Sequence, residues 1–334
     1  MARKDSTMKI LVVSGFLGAG KTTFIKELIR RTGTAPVILE NEYGNNSIDA
    51  GELRSTDSGE KKLEVLEFME GCVCCTMKDS FINSVMTVFS GLSPEYLIIE
   101  PTGVGQLSNI LNNLKPILHD PVTLLKPIVV LAPRSYKQNM MEFEALYRDQ
   151  IAYAKTVVFS KCENEDPEVL KETEAAIRSI NKDAEILCRH YSGQDDEWWR
   201  SVMALPSETI SVDETASEST EFSQVTLNNS GMENPAQLIQ LLEDCLRGQF
   251  GQVVRAKGTI PVGAETLRFD LADGLYSISG SPEKANQCVF IGRDLDRIGL
   301  SLRTGSLFDG RDLSISRKII KPDRKPKMSM RASG

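Results

Sequence analysis

Histidine is nearly absent from this sequence: His119 and His190 are the two imidazoles in 334 residues. Neither has a cysteine or carboxylate partner evident nearby in the chain. Each therefore reads as a surface or packing residue, and so little imidazole argues against storage of many metal ions. Long apolar runs are missing as well. The segment 1–8 is polar, and the run Ile10–Val13 behind it is too short for a signal-peptide core or a membrane span. Nothing directs export, and the expected location is the cytoplasm, without a membrane partner. Excess positive charge is lacking too, with 39 Lys and Arg against 46 Asp and Glu and a net charge of −7. Such a chain offers no general attraction to a polyanion, so nucleic acid is not an expected partner. The seven cysteines show no paired spacings of a small secreted scaffold, which excludes a disulfide framework, and no internal repeat is found.

What remains is a globular composition, 41% hydrophobic and 25% charged. At roughly 150 residues per domain the length suits two domains. Short apolar runs recur at Ile10–Val13, Val37–Leu39, Val65–Leu66, Tyr96–Ile99, Ile128–Leu131, Thr156–Phe159 and Ala184–Leu187, with helix-like stretches at Lys21–Arg30, Phe81–Phe89, Met140–Ala154 and Pro167–Ile180 between them. Strands alternating with helices predict an α/β fold, a largely parallel sheet covered on both faces. The segment Pro206–Glu221 holds seven Ser or Thr, five acidic residues and no Lys or Arg, the composition of a solvated linker. Beyond it, strands are expected at Phe222–Leu227, Gln252–Ile260, Thr266–Leu271, Leu275–Ser279 and Cys288–Gly292, with a helix at Pro235–Arg247. The expected organisation is a first domain over 1–205, a linker over 206–221, a smaller second α/β domain over 222–306 and a loose basic tail over 307–334.

The strongest motif follows the first strand. Gly15-Phe-Leu-Gly18-Ala19-Gly20-Lys21-Thr22 has the Gly-x-x-x-x-Gly-Lys-Thr spacing of a phosphate-binding loop, and it sits between a strand and a helix as that chemistry requires. Glycines let backbone N–H groups curl around phosphates, and the helix N-terminus adds partial positive charge. Lys21 is expected on the β- and γ-phosphates, the Thr22 hydroxyl on Mg²⁺ and Thr23 on the α-phosphate. A base-reading loop is sought after a later strand. There Ser160-Lys161-Cys162-Glu163 keeps a lysine and a carboxylate but has Ser in place of the Asn of guanine-specific loops. GTP is favoured over ATP on this reading, and an ordinary charged loop fits these four residues almost as well.

A second cluster, Gly71-Cys72-Val73-Cys74-Cys75, packs three soft ligands into one short segment. A free thiol has a pKa of about 8.5 and needs a metal or a nearby cation to be thiolate at neutral pH. Three thiolates supply most of a tetrahedral Zn²⁺ or Cu(I) site and leave it open, which suits loading and unloading. Three buried small hydrophobes would be the bland alternative, and three of the seven cysteines in one such stretch behind a glycine argue against it.

With both motifs in place, the sequence resembles the CobW-like branch of P-loop GTPases, of the SIMIBI type, relatives of the nickel-insertion GTPases of hydrogenase and urease. The resemblance rests on Ser14–Thr23, Glu40-Asn-Glu42-Tyr-Gly44 with Ser47–Asp49, Gly71–Cys75 and Ile98-Ile-Glu100-Pro-Thr-Gly103. In the second domain it rests on Val254-Arg-Ala-Lys-Gly258 and Val289–Leu295. It implies a GTP-hydrolysing metallochaperone using GTP and Mg²⁺, with a client metalloprotein as partner, and it is compatible with a homodimer. The segment carrying Glu40 and Glu42 would be a first switch. Glu100, at a strand end, would hold the Mg²⁺ shell or position water, and Gly103 would swing toward the γ-phosphate. Lys21, Glu100 and Glu42 form the implied catalytic set, and Lys161 and Glu163 the base contacts. Cys72, Cys74, Cys75 and Glu40 would hold the transferred metal: zinc first, with cobalt, nickel or iron as alternatives. Relatives carry an acidic residue where Asn45 stands here, a departure that bears on the metal's identity. They also usually show Asp where Ala132-Pro133 follows a strand. Two other functions are compatible with the same residues: a nucleotide-gated assembly factor for a metallo- or corrinoid enzyme, and a small-molecule kinase. The pair Trp198-Trp199 reads as the buried aromatic face of a helix or as a docking edge.

Overall fold

A computed structural model describes residues 7–41, 64–68, 77–207, 222–282 and 286–305. Within the first part, strand β1 (Met8–Ser14), helix α1 (Lys21–Thr32), β2 (Val37–Asn41), β3 (Glu64–Phe68), α2 (Met77–Leu92), β4 (Tyr96–Glu100), α3 (Leu107–Leu114), β5 (Val122–Leu124) and β6 (Ile128–Leu131) follow one another. They are followed by α4 (Pro133–Glu142), α5 (Glu144–Tyr153), β7 (Thr156–Phe159), α6 (Pro167–Ile180), β8 (Glu185–His190) and α7 (Asp196–Val202). The strands form one parallel sheet in the order β3-β2-β4-β1-β6-β7-β8, with β5 also pairing β1. Both faces are covered, which explains why β1, β4 and β6 are apolar on consecutive residues and do not alternate. Met8, Ile10 and Val12 enter one core with Leu107, Leu111 and Ile151, while Leu11 and Val13 enter the other with Phe24, Leu28 and Trp199. Trp199 is fully buried against Phe24 and Tyr191, so it serves the core and not a docking edge.

The single helix expected over Met140–Ala154 is two helices. The backbone breaks at Phe143, with φ −136° and ψ 40°, and its buried ring stacks on Phe16 with centroids 5.1 Å apart. Tertiary packing of that ring overrides helical continuity. The residues after β6 also differ from a plain strand end: Pro133 occupies the first turn of α4, where its missing N–H costs nothing. The backbone at the start of the expected linker is still tied to the first sheet, since Pro206 bridges Leu125 and the Ser207 amide donates to Leu124 O at 2.8 Å.

The second part holds β9 (Ser223–Asn228), α8 (Pro235–Leu246), β10 (Gln252–Val262), β11 (Glu265–Ala272), β12 (Leu275–Gly280), β13 (Gln287–Arg293) and α9 (Arg297–Thr304). Its five strands form an antiparallel sheet in the order β12-β11-β10-β13-β9. Ala256, Phe269, Leu271 and Phe290 pack one face against Leu238, Leu241 and Leu242 of α8. The other face turns to the first sheet, and Val289 and Ile291 join the first domain's core. Across this joint Arg293 lies over the Phe143 ring, its guanidinium carbon 4.6 Å from the centroid, and donates to Glu142 O at 3.1 Å. Among the described residues no helix is long and apolar enough to cross a membrane.

Candidate nucleotide site

Because β1, β2 and β4 are parallel neighbours, their C-terminal ends open on one edge of the sheet, where ligands of doubly wound folds collect. The phosphate-binding loop leaves β1 at this edge. Gly15 has φ +142°, and a Cβ there would lie 2.2 Å from Val130 O on β6, so the close approach of loop and strand demands glycine. Gly20 caps α1, which carries no acidic residue in its first turn and no side-chain cap, leaving its first N–H groups to an anion. The buried Lys21 ammonium donates to Gly15 O at 3.0 Å and Phe16 O at 3.2 Å, which holds it over the loop. Ser160, standing where guanine-specific loops have Asn, donates its hydroxyl to Ala19 O at 2.6 Å and to Leu131 O at 3.3 Å. It thereby fastens the loop after β7 to the phosphate loop, a positioning role the sequence reading missed.

The Thr22 hydroxyl donates to Glu100 Oε1 at 2.8 Å. A hydroxyl and a buried carboxylate converging beside the phosphate loop are a hard oxygen pair, which fits the residues expected around Mg²⁺. The register of β2 on β4 sets Glu40 directly beside Glu100, and both are almost fully buried. Gly103 is equally constrained: a Cβ there would fall 2.4 Å from the Leu17 amide nitrogen, so the segment after Glu100 packs against the phosphate loop itself. Gln150 of α5 fixes this segment by donating to Gly103 O at 3.3 Å and Gly105 O at 3.1 Å.

These groups line a cavity of about 590 Å³ that also takes in Thr23, Lys161 and Arg134. Its opposite wall comes from the second sheet, through Arg255, Lys257, Asp270 and Asp273. Lys161 donates to Asp273 Oδ2 at 3.0 Å, and a Cβ on Gly18 would meet that of Ala272 at 2.7 Å, so the β11–β12 turn rests on the phosphate loop. Glu163 is not among the cavity's lining residues. Its carboxylate lies 3.3 Å from His190 Nε2, which corrects the expectation that His190 has no carboxylate partner. Two loops far apart in sequence meet there at the C-terminal ends of β7 and β8. Glu42, Cys72, Cys74 and Cys75 lie outside the described residues, as do Asn45, residues 208–221 and residues 306–334. Among the described residues no cluster of three His, Cys, Asp or Glu side chains could hold a metal. Burial pushes the thiols of Cys162, Cys188, Cys245 and Cys288 up, to about 11 for Cys162 and about 12 for the other three, consistent with structural cysteines.

Comparison with known proteins agrees with this geometry. The chain is 32% identical to the zinc chaperone YeiR of Escherichia coli over 160 residues, 47% of each chain. It is 25% identical to the zinc-regulated GTPase metalloprotein activator 1 of Dictyostelium discoideum over 214 residues, 54% of this chain and 45% of that one. It thus spans about half the length of the curated relatives it matches. Among solved structures, Zn(II)-bound YjiA GTPase from E. coli covers 90% of this chain at 18% identity, with 98% of that chain matched and a TM-score of 0.42. That superposition is loose, and the fold rests on the strand order and on two family profiles. One, for the CobW/HypB/UreG nucleotide-binding domain, matches residues 9–188. The other, for the C-terminal domain of the cobalamin synthesis protein CobW, matches residues 222–303. With a nucleotide-binding profile matched over more than half its length, the chain belongs to the CobW/HypB/UreG family and carries a CobW-type C-terminal domain.

Proposed function

We propose that the protein is a GTP-hydrolysing metallochaperone that couples the state of its nucleotide to the binding of zinc and its delivery to a client metalloprotein. The observation that carries this reading is the register of β2 on β4, which sets buried Glu40 beside Glu100, while Glu100 accepts from Thr22 of the phosphate loop. On this reading one edge of the sheet offers one carboxylate to the nucleotide's Mg²⁺ and a second to the transferred metal. The parallel pairing of β3 with β2 supports the third element. Phe68, the last residue of β3, pairs with Asn41, so β3 ends at the same edge, and Cys72 follows four residues later in the sequence. The names of the relatives, zinc chaperones and a zinc-regulated GTPase, point to zinc.

On this reading Lys21 and the first N–H groups of α1 hold the phosphates, and Thr22 and Glu100 hold Mg²⁺. When bound, Mg²⁺ supplies charge neutralisation at the β- and γ-phosphate oxygens. Gly103, against Leu17, places the following segment where a change at the terminal phosphate is felt at the end of β4. Lys161 serves the base side, while Glu163 pairs with His190 outside the cavity lining. A shift of about 1.4 kcal/mol in the geometry of the metal ligands is enough to change zinc affinity about tenfold. The thiols require a reducing compartment, in keeping with a cytoplasmic location.

Zinc titration of anaerobic protein in the presence of GDP and of a non-hydrolysable GTP analogue tests this reading. The expected result is an affinity at least about tenfold different between the two nucleotides, lost in Cys74→Ser. Equal zinc affinity in every nucleotide state of the unaltered chain would overturn it.

A further inference from the structure

The face of the second sheet that looks away from α8 carries charge where a packing face would be apolar. Residues two apart on a strand share a face, and the pairings Arg255↔Ala272 and Lys257↔Asp270 place Arg255, Lys257 and Asp270 together on the side of the phosphate loop. A bulge between Val253 and Arg255 adjusts the strand just before these residues. Lys257 is 5% exposed and lines the same cavity as Lys21, Thr22 and Glu100. An ammonium so far from water needs negative charge around it. Glu40 and Asp270 supply some, while Lys21 and Arg268 oppose it. Burial, the largest influence, draws its pKa down to about 8.

We infer that Lys257, carried by the second domain, is a ligand of the nucleotide's terminal phosphate, so that a triphosphate is gripped between the two sheets. The two buried ammonium groups, Lys21 and Lys257, lie on opposite walls of the cavity and within each other's field. Both are cations buried in one cavity, and an anion held between them offsets the cost of burying each. The γ-phosphate is the anion Lys21 is built to hold, and a diphosphate lacks it. Arg255, a further cation on this face, pairs with Asp270 at 3.3 Å. Asp270 also stands opposite Lys257 in register and adds negative charge beside it. Since β10 is paired on both sides, by β11 and β13, the ammonium sits on a rigid support. This inference rests on the cavity being the GTP site and is independent of whether the cysteine segment binds zinc.

The test is titration of the full chain with Mg²⁺ and a fluorescent non-hydrolysable GTP analogue or fluorescent GDP. In Lys257→Met the triphosphate should bind at least about tenfold more weakly, a loss of about 1.4 kcal/mol, with the diphosphate nearly unchanged. Lys257→Arg, which keeps the charge, should recover part of the loss. Equal weakening of both nucleotides, or of neither, would overturn the inference. Hydrogen exchange of the unaltered chain provides a reading that does not depend on how the variants fold. Amides of β10 should exchange more slowly with the triphosphate analogue than with GDP, and identical exchange would equally overturn it. Failure of the unaltered chain to bind either nucleotide would overturn the reading of the site and this inference with it. A nucleotide-independent zinc affinity would overturn only the metallochaperone reading.

Discussion

The two walls of the nucleotide cavity are built on different principles. The wall from the first sheet is shaped by backbone, namely the loop from Gly15 to Gly20, the start of α1 and the Gly103 segment pressed against Leu17, which place the side chains of Lys21, Thr22 and Glu100. The wall from the second sheet consists of side chains, Arg255, Lys257, Asp270 and Asp273, projecting from two paired strands and the turn that follows. A backbone cradle needs particular residues in a particular order, because each glycine and the lysine answer a local steric or electrostatic demand. A side-chain wall needs only the right charges on one face of a sheet, and many sequences satisfy that. The first wall therefore shows as a motif with a stated chemistry, whereas the role of the second shows only in the fold.

The comparison can be broken most forcefully at the joint between the walls. Phe143 is buried, stacks on Phe16, packs near Phe222 and lies under Arg293. Phe143→Ala should cost about 3–5 kcal/mol of stability, measured by denaturant unfolding, and should weaken nucleotide binding by letting the second wall move. A loss of stability with unchanged nucleotide affinity would mean that the two walls act independently.

Lys21→Ala strikes the first wall directly. Removing a preorganised charge donor from the site should lower GTP turnover by about 10²–10³-fold, roughly 2.7–4 kcal/mol, in a phosphate-release assay, with little change in melting temperature. A variant that retained normal turnover would deny Lys21 its role and leave the charged second wall as the working one.

The mildest effect is expected at the contact between the two walls. Lys161 is half-exposed in its pair with Asp273, and surface pairs of this kind contribute at most about 1 kcal/mol. Asp273→Ala should therefore lower stability by less than about 1 kcal/mol and make the remaining difference smaller still at high salt. A larger cost in thermal unfolding would show that the β11–β12 turn is a structural clamp and not a light contact.

Much of the fold was legible beforehand. The apolar runs and Pro/Asp helix starts located the parallel strands and α6, whose Asp166 side chain caps it by accepting from the Glu168 amide. The composition of residues 206–221 announced a break between sheets, although the backbone is still bonded to β5 at Pro206 and Ser207. The break at Phe143 was not legible, because nothing in the local sequence stops a helix there and the ring's partner, Phe16, stands far away in the chain. Nor was the pairing of His190 with Glu163, which depends on β7 and β8 being neighbours. The residues of the second wall were visible as Val254-Arg-Ala-Lys-Gly258, a mark of family resemblance. Two cations two apart in an otherwise apolar strand were the available signal that one face looks onto something charged.

The chain order alone determined the phosphate loop and the strand and helix flanking it, because short-range sterics and periodicity govern these, whereas the antiparallel pairing of the second sheet came only with the fold. Which carboxylates stand side by side, what faces Lys21 across the cavity and where the second sheet rests were decided by strand register and by the packing of rings remote in sequence. Those are long-range matters: the energy of a buried charge depends on every neighbour the fold brings to it, and no local pattern encodes that set.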